Sequence, residues 1–178
     1  MSRQVASSIL MIRPVSFDMN TETAVNNYYQ KVIDGLTAEK AQEQALFEFD
    51  NYANKLRANG IEVIVIEDTR DPETPDSIFP NNWISFHHDG TIALYPMFAE
   101  NRRLERREDI RDILCENGFE VEQIKDFTEF EYQGKNLEGT GSMLLDRDNH
   151  IVYAAISFLC ELRGLITLLE SVLLFFPN

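Results

Sequence analysis

Cysteine is scarce in this chain of 178 residues: there are two, Cys115 and Cys160, too few for a disulfide scaffold at this length. Histidine is nearly as rare, at three. No two of the histidines, cysteines and acids stand at a ligand spacing such as His-x-x-x-His or Cys-x-x-Cys, so no metal motif is written in the sequence, and neither metal nor organic cofactor is expected. Positive charge is also short. Sixteen Lys and Arg face 30 Asp and Glu, a formal net charge of −14, which repels phosphate backbones and anionic lipid surfaces. Nucleic-acid and membrane partners are therefore not expected. The apolar stretch 9–12 is far too short for a secretory signal, and a cytoplasmic protein is the default expectation. The mostly apolar stretch 156–176 is interrupted by Glu161, Arg163 and Glu170, whereas a membrane span needs about 20 apolar residues with few charges.

What is present is a repeat. Arg57-Ala58-Asn59-Gly60-Ile61-Glu62-Val63 and Cys115-Glu116-Asn117-Gly118-Phe119-Glu120-Val121 match in kind, with Gly60 and Gly118 58 residues apart. Each segment reads as a helix capped by a left-handed glycine and followed by a strand. The first helix is predicted from about Thr37, a plausible N-cap, with Ala38, Ala41, Ala45, Phe49, Ala53 and Leu56 forming one apolar stripe. The second is predicted over about 103–117. Strands are expected at 8–13, 61–66 and 119–124. Hairpins are expected at 83–87 with 91–95, turning at Asp89-Gly90, and at 142–145 with 151–155, turning near Asp148-Asn149. The unit is hairpin, helix, strand. One such unit cannot bury both its sheet and its helix alone, so several must share a core, and this chain holds barely two.

Two loops that precede the hairpins carry polar residues which would converge if the units pack about an axis. One is Thr74-Pro75-Asp76-Ser77-Ile78-Phe79-Pro80-Asn81-Asn82-Trp83; the other is Asn136-Leu137-Glu138-Gly139-Thr140-Gly141-Ser142. The plain alternative for the first is a polar turn with a sealing Trp. For the second, a phosphate cradle would want a following helix and a Lys, and the sequence provides neither.

The motifs Pro75-Asp76-Ser77-Ile78-Phe79-Pro80-Asn81-Asn82, Tyr95-Pro96-Met97 with Asn101-Arg102-Arg103-Leu104-Glu105-Arg106-Arg107, and Leu137-Glu138-Gly139-Thr140-Gly141-Ser142 resemble the amidinotransferase and arginine-deiminase superfamily. Within it the likeness is closest to the citrulline-utilisation hydrolase and dimethylargininase-like branch. Met11-Ile12-Arg13-Pro14 and Asn26-Asn27-Tyr28-Tyr29-Gln30 fit the same branch, so the resemblance runs over about 8–155. It implies an α/β pentein fold, a fan of ββαβ units, here about the first half of one. It also implies attack of a Cys thiolate on a guanidino or ureido carbon, a His that protonates the leaving amine and a carboxylate that orients the His.

By the same resemblance Glu138 matches the catalytic carboxylate. Asp76, Phe79, Asn81 and Asn82 match residues lining a small guanidino or ureido amino acid. Asn82 stands where arginine-specific relatives carry an Asp. An amide offers donor and acceptor to a neutral ureido group, which favours citrulline modestly over arginine. Arg102 or Arg103 matches the clamp on the substrate carboxylate; Arg102 is preferred, while the mixed charges of Arg106, Arg107, Glu105, Glu108 and Asp109 read as a solvated helix face.

The likeness stops near Ala155, short of the family's catalytic His and Cys. The expectation is an amidinotransferase-like part over 1–155 and an atypical apolar tail over 156–178 derived from a frameshift or truncation, so that this chain does not itself catalyse the reaction. Cys115 reads as a small buried apolar residue, and Cys160 lacks the family's setting. His87 and His88 alternate on a strand and read as partly exposed, and His150 belongs to a turn. An open fan would expose strand edges and self-associate. The alternative from another class is a non-catalytic binding module of the same fold.

Overall fold

The computed structural model describes residues 6–24, 35–149 and 151–155; Asn26 to Gln30, His150, Cys160 and the stretch 156–178 lie outside the described residues. Residues 6–80 form one compact unit, and the chain from Asn81 onward forms another.

In the first unit β1 (Ser8–Arg13) and β2 (Glu62–Glu67) pair in parallel, in register from Ser8↔Glu62 to Arg13↔Glu67. Parallel strands need a crossover, and α2 (Ala38–Ala58) supplies it after the single turn α1 (Thr21–Ala24). Thr37 caps α2 as expected, extended in backbone and accepting from Lys40 N at 3.4 Å. The apolar stripe faces inward: Phe49 and Ala53 are buried, Ala41, Ala45 and Leu56 partly so, and only Ala38 is exposed. Ile12, Pro14, Ile64 and Ile66 are also buried in this unit. Gly60, at φ 82°, ends the helix in the left-handed region. Arg13 forks onto Asp50, with Nε to Oδ1 at 2.8 Å and Nη2 to Oδ2 at 2.9 Å, tying β1 to α2.

The second unit repeats the plan with a hairpin in front. β3 (Ile84–Phe86) and β4 (Thr91–Leu94) are antiparallel, and β4 then pairs in parallel with β5 (Gln123–Asp126). Strand β5 begins later than the expected 119–124, because its register, Thr91↔Gln123 to Leu94↔Asp126, is set by the reach of β4. The expected helix over 103–117 is also corrected. It is two pieces, α3 (Glu100–Arg103) and α4 (Ile110–Glu116). The charged run between them offers no apolar period and directs its side chains sideways, Arg106 to Glu131 and Arg107 to Asp109; the helix resumes at Ile110, the first residue of the run with a core to face.

The loop expected at 136–142 ends in a helical turn, α5 (Gly139–Ser142), which leads into β6 (Met143–Asp146) and its antiparallel partner β7 (Ile151–Ala154). Ala93, Tyr95, Phe127, Leu137 and Met143 form one buried cluster, against which Phe130, Leu145 and Val152 pack. The opposite face of the last hairpin is bare: the cross-strand partners Leu144 and Tyr153 are both exposed.

Candidate active site

Glu138 is 1% exposed. A carboxylate in that position must have its oxygens satisfied, and three groups converge on it. Asn82 Nδ2 donates to Oε2 at 2.9 Å, Phe98 N donates to Oε1 at 3.0 Å, and Arg102 Nη1 lies 3.7 Å from Oε2. The chain reaches this point because Leu137 N is bonded to Pro96 O and the 3-10 turn Pro80–Asn82 delivers the amide. A carboxylate only accepts, so the Asn82 amide has to turn its NH₂ toward Glu138. Its Oδ1 then points elsewhere and accepts no hydrogen bond among the described residues. Neighbouring Asn81, exposed, donates through Nδ2 to Thr140 Oγ1 at 3.0 Å.

Arg102 is buried, and its fork is engaged: Nε and Nη2 donate to Glu105 Oε1 and Oε2 at 2.8 and 3.0 Å. As placed, the guanidinium bridges two buried carboxylates, Glu105 and Glu138. Clamping a substrate carboxylate with the same two donors would require the Glu105 pair to open. Glu105 and Arg106 correct the expectation of a solvated face. Glu105 is 6% exposed, and Arg106 forks onto Glu131 at 2.6 and 2.9 Å. Glu131 also accepts from Met97 N and lies near Arg103 Nε. The stretch 96–106 that presents Phe98 N and Arg102 is thereby held by side-chain charge where the helix gives out.

Of the residues singled out in sequence, Asn82, Arg102 and Glu138 meet, with Asn81 adjacent in the chain. Asp76 and Phe79 belong to the unit of residues 6–80. There Asp76, buried, accepts from Asn20 Nδ2 at 2.7 Å and Thr23 Oγ1 at 3.2 Å, while Phe79 is about half exposed. Sequence reasoning missed Glu105, Asn20, Thr23 and the Phe98 amide. The Arg102-x-x-Glu105 spacing was a usable signal, since residues three apart on a helical turn are neighbours. Nothing in sequence marks the other three.

His87 is partly buried on the β3–β4 hairpin, with Nε2 2.9 Å from Ser85 Oγ, which in turn lies 2.8 Å from the buried Tyr95 hydroxyl. Burial, with the positive charge of Arg147, pushes the imidazole pKa down to about 4, and burial raises that of Tyr95. His88 is exposed. Cys115 is exposed as well, which corrects the expectation of burial: α4 buries Ile110 and Leu114, four apart, and the next position turns outward. Among the described residues no group of three or more His, Cys, Asp or Glu is placed to hold a metal ion, and no helix is long and apolar enough to cross a membrane.

Comparison with known proteins gives a consistent picture. The family model described as N,N dimethylarginine dimethylhydrolase, eukaryotic, matches residues 13–172. No curated protein sequence matches. Among solved structures, the substrate-bound N-terminal domain of ArgZ, an arginine dihydrolase from the ornithine-ammonia cycle in Cyanobacteria, superposes with a TM-score of 0.65 at 19% identity, covering 93% of this chain and 54% of that one. DDAH from Pseudomonas aeruginosa in complex with citrulline gives 0.64 at 12% identity, over 95% of this chain and 57% of that one. AgrE in complex with L-arginine gives 0.62 at 19% identity, over 92% and 22%. The fold is that of the penteins, and the chain spans about half the length of the ArgZ domain and of the Pseudomonas enzyme.

Proposed function

The chain belongs to the N,N dimethylarginine dimethylhydrolase family, and on that premise we propose that it is the N-terminal portion of a hydrolase acting on carbon–nitrogen bonds of linear amidines or ureido amino acids. The observation that carries this reading is the buried Glu138 carboxylate, held by the Asn82 amide and the Phe98 N–H. In the proposed reaction a Cys thiolate adds to the guanidino or ureido carbon, the C–N bond to the leaving amine breaks as an imidazolium gives that amine its proton, and water then releases the covalent intermediate. Glu138 orients the imidazole. Asn82 Oδ1 accepts an N–H of the substrate, which suits a guanidinium as well as a ureido group and keeps any preference for citrulline modest. Asn81 lines the substrate, and Arg102 is the candidate for its carboxylate once released from Glu105.

The thiolate and imidazole are proposed to come from residues other than those described, supported by Cys115 standing exposed at the end of α4 and His87 being engaged with Ser85. The cytoplasm is the proposed location. Self-association through the bare face of Leu144 and Tyr153 is proposed on their exposure. Calorimetric titration of the 178-residue chain with L-citrulline and L-arginine tests the substrate class. Binding is expected to fall at least about tenfold in N82A, and an unchanged affinity would remove Asn82 from the site. Ammonia release by this chain that is abolished in C115S would overturn the assignment of the nucleophile elsewhere.

A further inference from the structure

The two glycines of Gly139-Thr140-Gly141 look equivalent in sequence and are not. At Gly139, φ is +20° and an added Cβ would run into the backbone oxygen of Asn81 and lie 3.1 Å from that of Asn82. Main chain therefore excludes any side chain there. Gly141 is exposed and has no positive φ. A Cβ on it would meet one thing first, the Asn82 side chain, at 2.6 Å from Nδ2, 2.9 Å from Cγ and 3.0 Å from Oδ1. The backbone of α5 suits alanine, the better helix former, so nothing local requires glycine at this position.

We propose that Gly141 is a positioning residue, whose missing side chain leaves the space occupied by the Asn82 amide and so fixes which edge of that amide faces Glu138 and which faces a ligand. The functional meaning rests on the hydrolase reading above; the steric relation does not. With glycine at 141 the NH₂ lies 2.9 Å from Glu138 Oε2, and Oδ1 is the edge offered to an N–H donor. A methyl at 141 pushes on all three atoms of the amide. It rotates the NH₂ off the carboxylate, leaving Glu138 with one good hydrogen bond fewer and Oδ1 misdirected.

The test uses the full 178-residue chain in four forms: wild type, G141A, N82A and G141A/N82A. In G141A the side-chain NH₂ resonances of Asn82 in ¹H–¹⁵N spectra are expected to shift, and the melting temperature to fall by roughly 3–6 °C. In the N82A background the same substitution is expected to cost nothing, or to raise the melting temperature through helix propensity. A merely structural glycine would cost the same in both backgrounds and leave the Asn82 resonances in place; either result overturns the proposal. Should G141A fail to fold, a folded G141A/N82A supports the proposal, and failure of both overturns it. Affinity for L-arginine and L-citrulline is expected to drop about tenfold in G141A. If the wild type binds neither, the hydrolase reading fails while the resonance shift and the double-mutant cycle still decide the role of Gly141.

Discussion

Between β1 and β2 the chief described element is the 21-residue helix α2, with Phe49 and Ala53 buried. Between β4 and β5 the same crossover is cut into α3, a charged turn and the seven-residue α4. Both end in a glycine with φ near 82–83°, Gly60 and Gly118, so the plan is common and the filling differs. In the first, the burial of Phe49 and Ala53 is joined by a single charged fork, Arg13 on Asp50. In the second, ion pairs hold what the helix no longer can, while Phe98 N, just before α3, and Arg102, within it, reach Glu138.

The largest test of this contrast is removal of Arg102. R102M leaves Glu105 and Glu138 buried without the guanidinium between them, and an orphaned buried charge costs about 3–5 kcal/mol. Urea unfolding at neutral pH is expected to show that loss. F49A in α2 is the counterpart. A deleted buried aromatic costs about 3–5 kcal/mol, by the same measurement. An R102M variant as stable as the wild type would erase the distinction between the crossovers.

A smaller effect belongs to the hairpin that opens the second unit. His87 has a pKa of about 4 in the fold against roughly 6.5 in an unfolded chain. Between those values the unfolded state binds the extra proton, so the contribution is complete above pH 6.5 and is lost as pH falls toward 4. At about 1.4 kcal/mol per unit this amounts to roughly 3 kcal/mol. Chemical denaturation from pH 7 to 4 measures it, and H87Q is expected to flatten that segment of the profile.

The parts legible in sequence are those governed by local rules. Thr37 announces α2 through its cap, Gly60 and Gly118 end helices as left-handed residues should, and Asp89-Gly90 makes the hairpin turn. Element boundaries set by partners were not legible: β5 starts at Gln123 because β4 does not extend further. Nor was the burial of Arg102 and Glu105. A run of alternating charges reads the same whether its members face water or each other, and only the position of Glu138, 33 residues beyond Glu105 in the chain, decides it. Cys115 failed for a related reason, since residue type suggested burial while the helix phase set by Ile110 and Leu114 turned it outward.

The turn at Gly90 carries a consequence for anyone wishing to alter the chain. A Cβ there would fall 2.8 Å from Glu122 Cγ and 3.0 Å from Glu120 O, and Gly90 O accepts the Glu122 amide. What looks like an ordinary surface tip, the usual choice for splicing in a tag or a label, is wedged against the incoming thread of β5. Lengthening it would unseat that strand.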